Sequence, residues 1–513
     1  MRRSAALESI WNSGLFVSDN RANAYVTVNP SWHLAKDSSS SASVYEPERM
    51  PFRRWADTGA DIDVPRSIVK RIEITRSITE DCGQLNLTIK NAAAGGGPDI
   101  DSQGYFSLRQ GEGDASWGKT GSDWGKITLP GESVSYGHFG PGSMVKTYQG
   151  YGGYNLGLGA ALGAGYVVPT GVWIIDDTNI SANGDLVVIA RDLGSLLIDQ
   201  TLYPKFMPDA CYPLQFYSKT WNEEVNGDPD GFVPTETNYD DLINIAELMA
   251  LWAGFHAPDG SGVLGHVEET GIDSPAPFKA EFFDKKQPID VIKEVLKIVG
   301  YRAWVDQEGG LRMTSQNIWQ AGNRLYDGSQ TGTCFAIHER HVLTGFTGSW
   351  TRRSDRSHII VSQGNPAIED GVKHATWDTT ETGDASGPPE QRRVQLRGAT
   401  YPAFWQLDKD IPIGDMIMMA ELTGIRMFFA RHGGRITAWA NPLIDPDDQV
   451  KLVEATSWDH FLHRVQSMST TYDAGTGEYT MDLTTNWMGP IDSGWYIEIT
   501  DDGHVRYNQM ANP

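Results

Sequence analysis

Several stretches of the chain hold residue types whose spacing invites a chemical reading. Gly157, Gly159 and Gly163 outline a glycine-rich loop of the kind that cradles a pyrophosphate. The third glycine falls one residue late, no acidic partner follows at the needed distance, and the next residues are not an amphipathic helix; a flexible loop is the better reading. Asn226, Asp228 and Asp230, followed by Gly231, alternate oxygen ligands like the first half of a calcium loop. The bidentate Glu should stand at the twelfth position, which is Thr237, with Glu236 one short, so an acidic surface turn is expected. His338 and His341 are three apart and lack the order that sets two zinc ligands and a base on one helix face. No GxSxG elbow occurs. Asp176-Asp177 and Glu223-Glu224 have the residue types of a glycosidase pair, but so acidic a chain offers many such pairs. The expectation is no catalytic residue, no cofactor and no metal. Trp117 and Trp124 are the remaining candidates. They lie in the polar, glycine-rich stretch 101–137, where an exposed indole stacks on a sugar ring or anchors a protein partner. Packing beneath the loop is the alternative.

Composition narrows the class. The chain has 513 residues, 40% of them hydrophobic, enough for two to four domains with cores of their own. Its 66 acidic residues against 42 basic ones give a formal charge of −24. A conventional phosphate-gripping surface is thereby disfavoured, although an acidic wall repels a strand that must pass without sticking. Cys82, Cys211 and Cys334 are odd in number and far apart, which fits buried reduced thiols rather than a disulfide framework. The first residues carry charge without an apolar run and do not read as a signal peptide. The apolar stretch 156–168 is too short and glycine-rich to span a bilayer, so no membrane segment is expected.

The elements that would position these residues are mostly strands. Residues 435–487 read as strands with turns between them: Ile436, Ala438 and Ala440 share a face, NPLIDPDD turns, QVKLVE is a short strand, and a hairpin follows, turning at DAGTG. Residues 141–192 echo it. Both copies place a VK strand just after a Pro-containing turn and follow it with a long hairpin closed at glycine. Residues 67–90 read as a strand pair, with Ile68, Arg71-Ile72 and Ile74 on one arm and Leu85, Leu87 and Ile89 on the other. Residues 23–32 read as a strand, 44–61 as a loop or arm, and 193–200 as a short helix. Residues 238–255 form a helix with Leu242, Ile245, Met249 and Trp252 on one face. A second helix, 288–299, has Pro at its start and a buried stripe of Ile292, Val295, Leu296 and Val299. It leads into a hairpin turning at Gly309-Gly310, and a third helix, 413–431, ends at Gly433-Gly434. The layout is a β module, an α/β insert and a second β module.

In that order the motifs resemble the tail hub proteins of tailed bacteriophages, also called baseplate hub or minor tail proteins. GSMVKTYQGY with GVWIIDDTNISANGDLVVIARDLGSLL resembles the strands of the family's first barrel. PIDVIKEVLKIVGYRAWVDQEGGLRM is similar to the helix and hairpin of its middle domain, and AWANPLIDPDDQVKLVE with residues 466–483 resembles its second barrel. The likeness runs over residues 67–490; Ala440 and Asp447 stand where glycine is usual, and 91–140 and 365–400 are insertions. The resemblance implies a mainly β protein, two tail-tube-like β-barrel modules flanking a small α/β domain. The divisions would be an N-terminal arm (1–66), a first barrel module (67–200), a middle domain (201–340), a second barrel module (341–490) and a C-terminal tail (491–513). It implies a structural virion protein rather than an enzyme: a homotrimeric hub at the distal end of the tail, assembled in the host cytoplasm. Such a hub joins a sixfold tail tube or distal tail ring to a threefold tip, spike or fibre, meets the tape-measure protein, and lines the channel through which DNA exits. Barrels of neighbouring subunits would then pair through edge strands and apolar patches. The competing classes are a tail-associated glycan or peptidoglycan hydrolase and a carbohydrate-receptor-binding tail protein.

Overall fold

The computed structural model describes residues 22–29, 33–36, 53–56, 61–64, 66–90, 127–128, 135–136, 139–151, 167–202, 265–267, 285–298, 301–315, 334–338, 341–350, 358–364, 372–378, 402–407, 432–453, 461–490, 495–499 and 505–509, with isolated positions in 246–255 and 416–423.

Alternation of apolar and polar residues builds the first module. β1 (Ala22–Asn29) pairs antiparallel with β2 (Ile62–Val64). β3 (Val69–Ser77) turns Ile72, Ile74 and Arg76 inward and leaves Arg71 and Thr75 exposed. β4 (Gln84–Ile89) answers with Leu85, Leu87 and Ile89, each at most 1% exposed. β5 (Met144–Tyr151) pairs with β1 on one side and with β6 (Val167–Ile180) on the other. β6 folds back through Ser181–Asp185 into β7 (Leu186–Asp192), with Gly184 at φ 80°. The chain then makes one short helical turn, α1 (Ser195–Ile198).

The middle region has its helix where the apolar stripe places it. α2 (Pro288–Ile298) buries Ile292, Val295 and Leu296 and packs on β8 (Tyr301–Val305). β8 turns at Gly309 (φ 80°) into β9 (Leu311–Ser315), and Gly265–Val267 adds parallel to β9. In 238–255, Ala246, Glu247, Met249, Ala250 and Ala253 are helical and Met249 is fully buried; Leu242, Ile245 and Trp252 lie outside the described residues.

The second module comprises β10 (Cys334–His338), β11 (Val342–Trp350), β12 (His432–Trp439), β13 (Gln449–Val453), β14 (Phe461–Asp473) and β15 (Glu478–Pro490). Ile436, Ala438 and Ala440 are fully buried on one face. Gly433 and Gly434 are strand residues of β12, not the end of the preceding helix. The reason is steric: a Cβ at Gly434 would meet the Phe346 ring at 2.0 Å, so the glycine admits the aromatic of the neighbouring strand. In the β14–β15 turn, Gly477 alone of its two glycines has positive φ. Two further stretches expected to be irregular contain strands. Arg53–Ala56 pairs with His33–Lys36, and Val372–Asp378 joins His358–Gly364 and Pro402–Leu407 in a three-stranded sheet. Trp495–Ile499 and Val505–Gln509 form a hairpin in the C-terminal segment.

The two modules share one sheet, in the order β11-β12-β15-β14-β3-β4-β7-β6-β5-β1-β2, with β13 on β14 and β10 on β13. Among the described residues this path is open and no ladder closes it into a barrel. One five-strand path occurs twice within it, β5-β6-β7-β4-β3 and β13-β14-β15-β12-β11. The copies agree in detail. The register of β6 shifts between Ile175 and Asp177, and that of β14 shifts between Val465 and Ser467. Gly140–Ser143 and Asp445–Asp448 are matching turns with Pro at the second position, each closed by a 3.1 Å backbone hydrogen bond. The third residue has positive φ in both, 86° at Gly142 and 78° at Asp447.

Candidate functional site: the junction of the two modules

β3 of the first copy lies against β14 of the second, in seven rungs from Ser77↔Ser467 to Arg71↔Asp473. Ile78 N–H to Gln466 O (3.0 Å) and Ala474 N–H to Lys70 O (2.8 Å) extend the ladder at its ends. Alternation sends Arg76 inward with the isoleucines, where it is 3% exposed. A buried guanidinium is costly unless paired. Its Nη1 donates to Asp445 Oδ1 at 3.1 Å, its Nη2 donates to Thr170 O at 2.6 Å, and it lies 5.0 Å from the centroid of the Trp173 ring. Trp173 donates from Nε1 to Thr147 Oγ1 at 3.0 Å, and Gly171 is bare because any Cβ there would meet the indole at 2.2 Å. Arg76 therefore ties the first module's core to the second module's turn.

Behind it, Asp192 accepts from Gly83 N–H at 2.6 Å and Gly194 N–H at 2.9 Å. Burial raises its pKa from 3.8 to about 6, with Arg76 and the two N–H donors opposing. Tyr151 and Tyr479 make a second tie, with ring centroids 5.8 Å apart. Tyr151 donates to Ala440 O at 2.6 Å and Tyr479 to Gln149 Oε1 at 3.1 Å, so each phenol bonds the other module. Burial holds both phenols above their usual pKa.

The β8–β9 hairpin completes the junction. Asp306 Oδ1 accepts from Glu308 N–H (2.9 Å) and Gly310 N–H (2.8 Å), which shapes the turn. Gln307 then reaches the second module, its Nε2 donating to Ile444 O at 2.7 Å and its N–H to Asp445 Oδ2 at 3.2 Å. Arg302 and Arg464 both bond the Asp447 carboxylate, which is 5% exposed. On the other side Gly309 approaches the first module so closely that a Cβ would meet Leu193 Cδ1 at 2.8 Å. The side chains gathered here are ion pairs and capped turns that join three parts of the chain. Their arrangement is architectural.

The residues singled out for chemistry do not converge. Trp117, Trp124, the loop 157–163, the turn 226–231 and Glu223-Glu224 lie outside the described residues. Asp176 sits at the β6 bulge and accepts from Arg191 Nε at 2.5 Å, while Asp177 accepts from Thr178 N–H and Asn179 Nδ2. His338 ends β10, and His341 is fully buried three residues on. Cys82 is a free thiol that burial and nearby carboxylates, Asp192 first, push up to about 12, which keeps it protonated. Among the described residues no three His, Cys, Asp or Glu side chains form a metal cluster, and no helix is long and apolar enough to cross a membrane. The sequence marks Asp447 only as standing where glycine is usual and does not single out Arg76 or Asp192; an Arg in an alternating strand's apolar register (Ile72, Ile74, Arg76) is the available signal.

No protein-family model matches the chain, and no curated protein gives a significant match. Similar solved structures include the 43 kDa tail protein of prophage MuSo2 from Shewanella oneidensis, at 12% identity and TM-score 0.46, covering 90% of this chain and 98% of that one. The tail protein from Neisseria meningitidis MC58 is similar at 10% identity and TM-score 0.45, over 90% of this chain and 96% of that one. Prophage tail protein gp18 from Listeria monocytogenes is similar at 9% identity and TM-score 0.41, over 83% and 91%. These three solved structures are tail proteins, two of them from prophages, and a component of the type VI secretion system from E. coli is also similar, at 10% identity and TM-score 0.32 over 86% of this chain and 85% of that one.

Proposed function

We propose that the chain is a structural protein of a phage tail, a homotrimeric hub between the sixfold tube or distal tail ring and a threefold tip, spike or fibre. The observation that carries this reading is the internal repeat, two copies of one strand path joined edge to edge through β3 and β14. A trimer of such chains presents six similar modules to a sixfold ring and three copies to a threefold tip. The modules would occupy 67–200 and 341–490, with the middle domain at 201–340 bridging them. The charge of −24 suits a channel wall past which DNA slides during ejection. The polar junction has the character of a scaffold, which favours the structural reading over a hydrolase. Trp117 and Trp124 are proposed as partner contacts on the insertion.

The test is the mass of the purified full chain by light scattering over a range of salt, followed by electron microscopy with tail-tube protein. Three chain masses and a ring stacked coaxially on the tube are expected. Cleavage of cell-wall glycan by the purified chain would overturn the assignment. For the tryptophans, Trp117→Ala and Trp124→Ala should weaken binding to a tail partner or a glycan array, and unchanged binding in both would remove them from the interface.

A further inference from the structure

The junction sets one guanidinium between two carboxylates, one from each module. Arg76 is a rung of the β3–β14 ladder, opposite Met468, and is 3% exposed. Its Nη1 donates to Asp445 of the second module and its Nη2 to Thr170 O, while its Nε is buried with no hydrogen-bond partner. Asp192 of the first module stands beside the arginine stem. A Cβ built on Gly83 would lie 2.7 Å from Asp192 Oδ2 and 3.0 Å from Arg76 Cγ, so both side chains flank the same bare glycine.

The charged and titratable groups facing Asp192 are few. Arg76 faces it from β3, Cys82 from the segment before β4, and Asp445 from the turn 445–448. The Gly83 and Gly194 N–H groups bond its two oxygens, and Trp173, its cross-strand partner on β6, carries no charge. Arg191 is its neighbour in the alternating strand β7 and points to the other face, where Asp176 and Asp199 hold it.

We infer that Arg76 and Asp192 form a proton-set latch on the junction of the two modules. With Asp192 neutral, the guanidinium serves Asp445 and ties the modules together. With Asp192 ionised, two anions compete for one cation, Arg76 Nε–H turns to Asp192, and the tie to Asp445 slackens.

The spare donor is the Nε–H, on the part of the guanidinium nearest the stem that Asp192 flanks. The strain also has a route into the ladder. The turn carrying Asp445 is fixed to β14 just before its first rung, through Asp447 N–H to Val465 O and Val465 N–H to Asp448 O, both 2.9 Å. Repulsion between Asp192 and Asp445 therefore reaches the Ser77–Ser467 end of the junction. Burial, with Asp445 acting in the same sense, raises the Asp192 pKa from 3.8 to about 6. The closed junction thus binds this proton more tightly than an open one. The tie is fully present below 3.8 and weakens as pH rises through about 6. The latch is a property of the junction and does not rest on the tail reading.

The test is hydrogen–deuterium exchange of the full chain, read by mass spectrometry with intrinsic exchange rates divided out. From about pH 5 to about pH 8, protection of residues 72–78 and 466–472 should fall about tenfold, as linkage gives for this raised pKa. Protection of 433–439 in β12, away from the junction, should stay constant. Asp192→Asn keeps the shape and cannot ionise, so it should hold the acid-level protection at both ends of the range. Asp445→Asn removes the rival anion, and should lower protection at the acid end and flatten the dependence. The wild-type measurement decides without either variant: a ladder unchanged over the range, or an equal loss at 433–439, would overturn the inference. A pH dependence that survives Asp192→Asn would overturn it as well.

Discussion

The turn that the two modules share permits a paired mutational experiment. Gly142 and Asp447 occupy the same place with nearly the same positive φ, yet only the second is an amino acid for which that conformation is strained. Holding a non-glycine residue there costs roughly 1–2 kcal/mol, somewhat less for Asp. What offsets it is the carboxylate, shared by Arg302 and Arg464, whose side chains are 15% and 9% exposed. Removing one partner of a buried ion pair costs roughly 3–5 kcal/mol. Asp447→Gly relieves about 1 kcal/mol of backbone strain, so a net destabilisation of about 2–4 kcal/mol is expected. The reverse change has no such consequence. At Gly142 an added Cβ meets nothing within 4 Å, and the counterpart of Arg464 is Ile174. Gly142→Asp should therefore cost only the strain, about 1 kcal/mol. Urea unfolding of both variants, read by intrinsic fluorescence beside the wild type, compares them directly. Limited proteolysis on either side of the β8–β9 hairpin should show earlier cleavage for Asp447→Gly only, because Arg302 lies on that hairpin. Equal losses in the two variants, or an Asp447→Gly protein as stable as the wild type, would refute the assignment of the carboxylate as an anchor.

Two other changes probe the same junction. Tyr151→Phe removes the hydroxyl that bonds Ala440 O and should lower stability by ~1–3 kcal/mol, with non-additive coupling to Tyr479→Phe; strict additivity in a double-mutant cycle would show the two tyrosines act separately. Asp192 has its folded pKa raised to about 6 from 3.8, so its contribution is fully present below 3.8 and is lost as pH rises through about 6. Wild-type stability measured relative to Asp192→Asn should accordingly fall across that window, and a pH-independent difference would show that burial does not dominate this carboxyl.

Much of the fold was legible because strand alternation and helix stripes act locally. Ile436, Ala438 and Ala440, the hairpin at Gly184 and the helix 288–298 follow from period and turn chemistry alone. What sequence could not supply was the partner of an edge. Nothing local in Val69–Ser77 distinguishes pairing with residues 467–473 from pairing with any other strand of suitable alternation. The glycine pair at 433–434 was misread as a helix stop because its purpose, room for Phe346, belongs to a strand about 90 residues earlier, a neighbour that a local turn rule does not consider. The Asp at 447 looked like a departure from a glycine position; its reason lies in Arg302, on the distant strand β8.

The β3–β14 ladder also sets a timetable for synthesis. Thr75 and Ser469, which face each other across it, are 394 residues apart. At ~5–20 residues per second the ribosome needs roughly 20–80 s to make that interval. Throughout it the first module has emerged with β3 as an open edge. The charges on Lys70, Arg71 and Glu73 guard the nascent chain during that wait, and docking of β14 ends it. β3 therefore meets β14 only after 394 further residues have been added, so the first copy forms with an open edge and the second closes it.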